Sequence, residues 1–250
     1  MSFENDFITQ NNARILASFN LQPRYRPDFK QEKKGNGSGH QDEIKLNADE
    51  RRFLMCLYTY QYKATLTEIY GIIGFSASKG TRIAKKLEKN LMIKIFSIIK
   101  GKGTSKYPAL LSDAYKTLGA EEKKFEGKGC GYEHLIWQHI YASHFKEFKA
   151  VIELNRCNKC IDVAFEHEGR LIAIEVAISS VHEKVNIEKD IQLARADFVI
   201  IGCKDEKVLS EVNAVIQGLD ENLKCKARAF VLSRILSTDI EGLINEEKSQ

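Results

Sequence analysis

Residues 160–178 alternate apolar and polar positions in two arms. Cys160-Ile161-Asp162-Val163-Ala164-Phe165-Glu166 and Leu171-Ile172-Ala173-Ile174-Glu175-Val176-Ala177-Ile178 each repeat with a period of two, separated by His167-Glu168-Gly169-Arg170. That period marks a strand, and a Gly-containing pair between two such runs marks a hairpin turn. With Glu168-Gly169 as the turn, residues whose numbers sum to 337 face each other, so Asp162 lies opposite Glu175. The pleat gathers Ile172, Ile174, Val176 and Ile178 with Ile161, Val163 and Phe165 on a bulky apolar face. Two carboxylates share the other face with Ala164, Ala173 and Ala177. Directly opposed side chains have Cβ atoms about 5 Å apart, so two carboxylates there repel unless a cation or a proton sits between them. The alanines leave room for an ion, its waters and a substrate, whereas a solvent-facing surface would more often carry Lys, Thr or Ser.

Upstream the period becomes helical. Asn47 caps an expected helix through Tyr60 that carries Phe53, Leu54, Leu57 and Tyr58 at helical spacing, and Leu66 to Ile73 forms a short second helix ended by Gly74. Ser76 caps a third, with Ile83, Leu87 and Leu91 on its inner side and Lys79, Arg82, Lys86 and Lys89 turned outward. A strand at Met92 to Ile99, the turn Lys100-Gly101-Lys102-Gly103 and a return through Tyr107-Pro108-Ala109-Leu110 follow. Three helices and a two-stranded wing over residues 47–120 make a winged helix-turn-helix domain, a DNA-binding order.

Residues 1–46 read as a partly disordered arm, polar and Gly-rich around Gly35-Asn36-Gly37-Ser38-Gly39, in which Ile15, Leu16, Phe19, Leu21, Tyr25 and Phe29 could anchor the first part. Residues 121–130 read as a charged linker. From residue 131 to 250 the pattern predicts a helix from Tyr132 to about Phe148, a strand at Lys149 to Leu154 and then the hairpin. A polar helix at His182 to Arg195, a strand at Asp197 to Cys203 and a helix at Lys207 to Gln217 come next, with a strand near Ala227 to Leu232 and a helix near Thr238 to Glu247. The fold class is therefore α/β, with an αβββαβ order behind the helical segment.

Length and composition fit one or two soluble domains: 250 residues, 43% hydrophobic and 29% charged. With no apolar run of about 18 residues and no signal-peptide pattern at Met1-Ser2-Phe3-Glu4, the expected location is cytoplasmic, with no membrane partner. Six scattered cysteines do not form a disulfide framework. Charge changes the picture more. Between Ser76 and Tyr107 stand Lys79, Arg82, Lys85, Lys86, Lys89, Lys94, Lys100, Lys102 and Lys106 against one acid, Glu88, so this block exceeds the +4 of the whole chain. Such a block suits a polyanion, and its placement on the third helix and the wing suits double-stranded DNA. Ser78, Lys79, Thr81 and Arg82 suit bases and backbone alike, so base specificity is not legible.

The αβββαβ order with acids on the first helix and on strands two and three resembles the PD-(D/E)xK, or restriction-endonuclease-like, superfamily over roughly residues 131–205. Glu133-His134-Leu135-Ile136-Trp137-Gln138-His139, Ile161-Asp162-Val163-Ala164, Ile172-Ala173-Ile174-Glu175-Val176 and Asn186-Ile187-Glu188-Lys189 further resemble the winged-helix and nuclease-like tail of conjugation-type ATPases. The resemblance implies an endonuclease that hydrolyses DNA phosphodiester bonds. Asp162 and Glu175 would be ligands of Mg²⁺ or Mn²⁺, Val176 would donate a carbonyl, and Glu133 would point inward to support the shell. The superfamily's lysine position is Ala177, so Lys189, with Lys184 second, is expected to supply the cation. Gln138 and His139 match a Gln-His pair of the same pattern. The chain has no Walker-type loop, so an ATPase would be a separate partner, in mobile-element or defence biology, and many superfamily members act as homodimers. Cys157-Asn158-Lys159-Cys160 has zinc-ligand spacing, with Cys130 or His134 as further donors, but a single CxxC disfavours zinc. The alternative is a catalytically inactive winged-helix DNA-binding regulator or adaptor that uses the nuclease fold for docking or dimerisation.

Overall fold

The computed structural model describes residues 46–100, 103–122 and 131–245. The arm, Lys102, Cys130 and most of the expected linker lie outside the described residues. Contacts sort the described chain into two compact units interleaved in sequence: 46–59, 67–93 and 110–122 in one, and 60–66, 94–100, 103–109 and 131–245 in the other. Among the described residues no helix is long and apolar enough to cross a membrane.

The first unit is helical. Helix α1 (Ala48–Tyr60) opens on a capping box. Asn47 Oδ1 accepts from the Glu50 amide at 2.9 Å, and Glu50 Oε2 accepts from the Asn47 amide at 3.1 Å, which satisfies two of the helix's orphan donors. Helix α2 (Leu66–Ile72) stops before Gly74, whose φ of 68° a side chain would strain. Helix α3 (Ala77–Lys89) is capped by Ser76 Oγ on the Lys79 amide and buries Gly80, Ile83, Ala84 and Leu87 at i, i+3, i+4 and i+7. Gly80 lets α2 come close, since a Cβ there would stand 2.5 Å from the Tyr70 ring. Leu91 departs from expectation. The helix ends at Lys89, a left-handed φ of 54° turns Leu91 outward at 67% exposure, and Met92 takes the inner place. An unexpected helix, α4 (Ser112–Leu118), buries Ala114, Tyr115 and Leu118.

In the second unit the hairpin β1 (Ile93–Lys100) and β2 (Gly103–Leu110) contributes Ile98, Tyr107 and Ala109 to a core shared with helix α5 (Tyr132–His144). Tyr132 of α5 stacks on Tyr62 with ring centroids 5.8 Å apart. The helix ends earlier than expected, at His144, and a 3₁₀ turn over Lys146–Phe148 completes the stretch. Then follow β3 (Val151–Arg156), β4 (Lys159–His167), β5 (Arg170–Ala177), α6 (Glu183–Gln192), β6 (Phe198–Cys203), α7 (Glu206–Gln217), α8 (Glu221–Lys224), β7 (Ala227–Val231), α9 (Leu232–Ile235) and α10 (Ile240–Ile244). One sheet runs β3-β4-β5-β6-β7, antiparallel from β3 to β5 and parallel from β5 to β7. The architecture is mixed α/β with a two-stranded and a five-stranded sheet. Apolar layers fill both faces of the larger sheet: α5, α9 and α10 with Val163, Phe165, Ile172, Ile174 and Val176 on one side, and α6 and α7 with Ala164, Ala173, Ala177, Val199 and Ile201 on the other.

The β4–β5 register is the expected one, from Val163 opposite Ile174 to His167 opposite Arg170. Glu168 and Gly169 have φ of 52° and 74°, the type I′ turn that matches strand twist. The faces differ from expectation in two ways. Ala164, Ala173 and Ala177 do not line an open space, because helices α6 and α7 pack on them. Ile161 joins that layer too, rather than the layer of Val163. The cause lies on the neighbouring strand: Glu153, opposite Asp162, has a left-handed φ of 53°, and pairing is interrupted between Ile152–Val163 and Leu154–Ile161. The alternation of both strands therefore resets at Asp162.

Candidate functional site

Asp162 and Glu175 stand one step beyond the last paired residues of the β4–β5 ladder. There each carboxylate takes up a backbone amide of the facing strand. Asp162 Oδ2 accepts from the Val176 amide at 2.8 Å, and Glu175 Oε1 accepts from the Asp162 amide at 3.4 Å. The reset at Asp162 aims it at α5, where Gln138 Nε2 donates to Oδ1 at 3.0 Å and His134 Nε2 lies 3.1 Å from the same oxygen. His134 and Gln138 are one helical turn apart, so one face of α5 delivers both. Glu175 instead belongs to the α6 side and is 4% exposed.

On that side sits the cation. Lys159 opens β4 after a tight turn at Cys157-Asn158, both with left-handed φ, and its side chain is only 11% exposed. Its Nζ lies 3.4 Å from Glu175 Oε1 and 3.3 Å from Asp190 Oδ1. Helix α6 buries Glu183, Ile187 and Asp190, the i, i+4, i+7 stripe facing the sheet. Beyond the ion pair, both oxygens of Asp190, Oε2 of Glu183 and the amide oxygen of Gln138 are buried without a hydrogen-bond partner.

Glu175 and Asp190 thus contact one ammonium, and Asp162 and Glu183 share its electrostatic surroundings. Burial, together with the charges of Asp162 and Asp190, pushes the Glu175 carboxyl well above its usual range, and Lys159 offsets only part of this. Burial raises Asp190 to about 6 against the pull of Lys159, and burial and the Asp162 charge raise Glu183 to about 7. For Lys159, burial works downward, but Glu175 and Asp190 outweigh it and hold the ammonium above its ordinary range. The cluster holds more acids than cations, and its buried carboxyls keep their protons to higher pH than exposed ones do.

The other expected residues fall elsewhere. Glu133 does not reach the acids. It sits 100° around α5 from His134 and pairs with Lys204 Nζ at 3.4 Å, 31% exposed. Lys189 and Lys184 are on the exposed side of α6, with Lys184 4.0 Å from Glu188, so the helix turns acids rather than lysines to the sheet. Ala177 is core. His139 is half-buried, and burial and Lys63 lower it to about 4, which leaves the ring neutral. Cys157 and Cys160 are exposed and form no disulfide among the described residues. Sequence reasoning missed Lys159, Glu183 and Asp190. The acids at i and i+7 of α6, Glu183 and Asp190, on one stripe with Ile187, were the available signal.

In the first unit, α3 exposes Ser78, Thr81, Arg82, Lys85 and Lys89. Two of the lysines expected at DNA also pair within the unit: Lys86 Nζ reaches Glu50 at 2.5 Å and Lys79 Nζ reaches Asp49 at 2.8 Å. On the hairpin of the second unit Lys106 is exposed, while Lys100 contacts the Tyr107 hydroxyl and lies over its ring.

No family model and no curated protein matches this chain. Among solved structures, a mutant of S. aureus MepR bound to an oligodeoxyribonucleotide aligns with 47% of this chain and 67% of its own at 13% identity, with a TM-score of 0.26. A likeness of that size carries no argument about fold or activity.

Proposed function

We propose that the chain binds double-stranded DNA and that its second unit is a PD-(D/E)xK-type domain hydrolysing phosphodiester bonds with a divalent cation. One observation carries the reading: Asp162 and Glu175, on adjacent strands, each accept from a backbone amide of the other's strand, with a buried lysine against Glu175. The order αβββαβ and the position of Glu175 near the end of a parallel strand support it.

The donors suit a hard cation such as Mg²⁺ or Mn²⁺, since they are oxygens and several are buried without partners. Such an ion, held by Asp162 and Glu175, would supply Lewis acidity and a more acidic water. Gln138 and the Val176 amide hold Asp162 in place, and the Asp162 amide holds Glu175. Lys159 takes the part expected of Lys189: it brings a positive charge to Glu175 from β4, where Ala177 on β5 has none. For DNA, Arg82, Lys85 and Lys89 on the exposed face of α3 suit phosphates, as does Lys106.

The test is plasmid cleavage with Mg²⁺ or Mn²⁺. Wild type cuts, Asp162→Asn, Glu175→Gln and Lys159→Gln each lose at least about 100-fold, and Lys189→Gln cuts normally. Cutting that survives both acid substitutions sinks the site. The second reading, a non-catalytic DNA-binding regulator, draws on Lys159 already neutralising the acids from within. It predicts DNA binding without cleavage under either metal.

A further inference from the structure

Away from the acid cluster, the turn of the β4–β5 hairpin meets the last helix, α10. There a ring nitrogen of His167, a Glu168 carboxylate oxygen and a Glu241 carboxylate oxygen all lie within 4.8 Å of one another. We infer that His167, Glu168 and Glu241 bind a zinc ion that staples the hairpin turn to α10.

The spacing favours this. Zinc bonds of about 2.1 Å arranged tetrahedrally put neighbouring ligand atoms roughly 3.4 Å apart, and His167 Nε2 stands 3.4 Å from Glu241 Oε1. Two of the ligands are already oriented. The His167 ring meets the Phe148 ring edge-on at 5.3 Å, and Asn245 Nδ2 holds the other oxygen of Glu241 at 2.8 Å, leaving Oε1 turned to the histidine. Such outer contacts are what hold ligands in metal sites. The type I′ turn sets the Glu168 backbone, and one of its carboxylate oxygens is engaged by Arg170 Nη2 at 3.2 Å. His167 is mostly buried, whereas both glutamates are exposed, so the fourth position opens to water. One imidazole and two carboxylates match the His/Glu donor chemistry of zinc and suit Mg²⁺ poorly, since Mg²⁺ prefers oxygen alone. The site is independent of the proposed nuclease chemistry.

The full chain is titrated with zinc chloride by calorimetry, in wild type and in a background of Cys157→Ser, Cys160→Ser and Asp162→Asn that removes the CxxC thiols and one acid of the cluster around Lys159. One zinc per chain should bind in both, with Kd on the order of 1–10 μM, and the melting temperature should rise with zinc. His167→Gln or Glu241→Gln should weaken binding at least about 30-fold and abolish the zinc-dependent rise, with circular dichroism unchanged in the absence of zinc. Absence of a zinc-dependent heat in the triple-variant background overturns the inference. So does binding that withstands His167→Gln and Glu241→Gln together.

Discussion

The molecule holds its charges in two opposite ways. Between α1 and α3 each acid has a cation of its own. Lys86 reaches Glu50 and Lys79 reaches Asp49, with Lys86 55% exposed over a carboxylate that is 3% exposed. Burial works to raise Glu50, but Lys86 and the Asn47 amide outweigh it and hold the carboxyl below its ordinary range. Between β4, β5 and α6 one lysine serves Glu175 and Asp190, with Asp162 and Glu183 close by, and those buried acids rise instead. The directions differ because burial, helped by neighbouring acids, outweighs Lys159 in the cluster, whereas Lys86 and the Asn47 amide outweigh burial at Glu50. A balanced pair ties helices together. An unbalanced, buried cluster holds its protons to higher pH.

Removing the single cation should break this contrast most visibly. Lys159→Met leaves Glu175 and Asp190 buried without a counter-charge, a defect that typically costs about 3–5 kcal/mol. The loss should be large at pH 8 and much smaller at pH 5.5, where protons neutralise Asp190 and Glu183 in the lysine's stead. Urea unfolding at the two pH values checks it. An equal loss at both would mean that Lys159 contributes packing alone.

The next largest effect has the opposite sign. Glu183 goes from 4.5 to about 7 on folding, so between those values the folded chain keeps a proton that the unfolded chain has lost. Stability from this group therefore falls as pH rises through that window and is lowest above it. Glu183→Gln should remove that fall and stabilise the chain at pH 8 by roughly 2–3 kcal/mol. A wild-type profile that stays flat from pH 4.5 to 7, or a variant less stable at pH 8, would end the idea that this cluster stores protons.

What could be read from the sequence follows from how local the signals are. The Glu168-Gly169 turn, the register it imposes and the caps at Asn47 and Ser76 depend on neighbouring residues, so they were legible. Asp162 and Glu175 were legible because one hairpin holds both. Their partners were not. Lys159 shares the hairpin with Glu175 but is not directly opposite it, and Asp190 arrives on α6, so their meeting depends on how that helix lies on the sheet. Ile161 was misplaced because the reset at Asp162 is set by Glu153 on β3, whose left-handed φ no β-propensity announces. The three alanines were read as space and proved to be the seat of α6 and α7, a role that only tertiary packing reveals.

Nucleic-acid binding sharpens the comparison from the surface. Arg82→Ala, Lys85→Ala and Lys89→Ala together remove exposed cations of α3 outside its ion pairs with α1. They should weaken DNA binding by about 30-fold at low salt and lower the slope of log affinity against log salt by two to three. Unfolding should change little, since none of the three belongs to the core. Fluorescence anisotropy at several salt concentrations checks it, and an unchanged slope would remove α3 from the interface.

The smallest effect lies in the balanced pairs. Lys86→Met leaves Glu50 buried without its cation, but the lysine is half-exposed and water screens the pair, so the cost should be near 1 kcal/mol. Because Glu50 is held low, its contribution is present above about pH 4.5 and is lost as pH falls, so wild type and variant should converge in acid. Lys79→Ala, whose partner Asp49 is exposed, should cost under about 0.5 kcal/mol. Thermal unfolding at pH 7 and pH 4 separates the two. If Lys79→Ala cost as much as Lys86→Met, the burial of the acid would not set the strength of these pairs, and the contrast with the Lys159 cluster would rest on charge count alone.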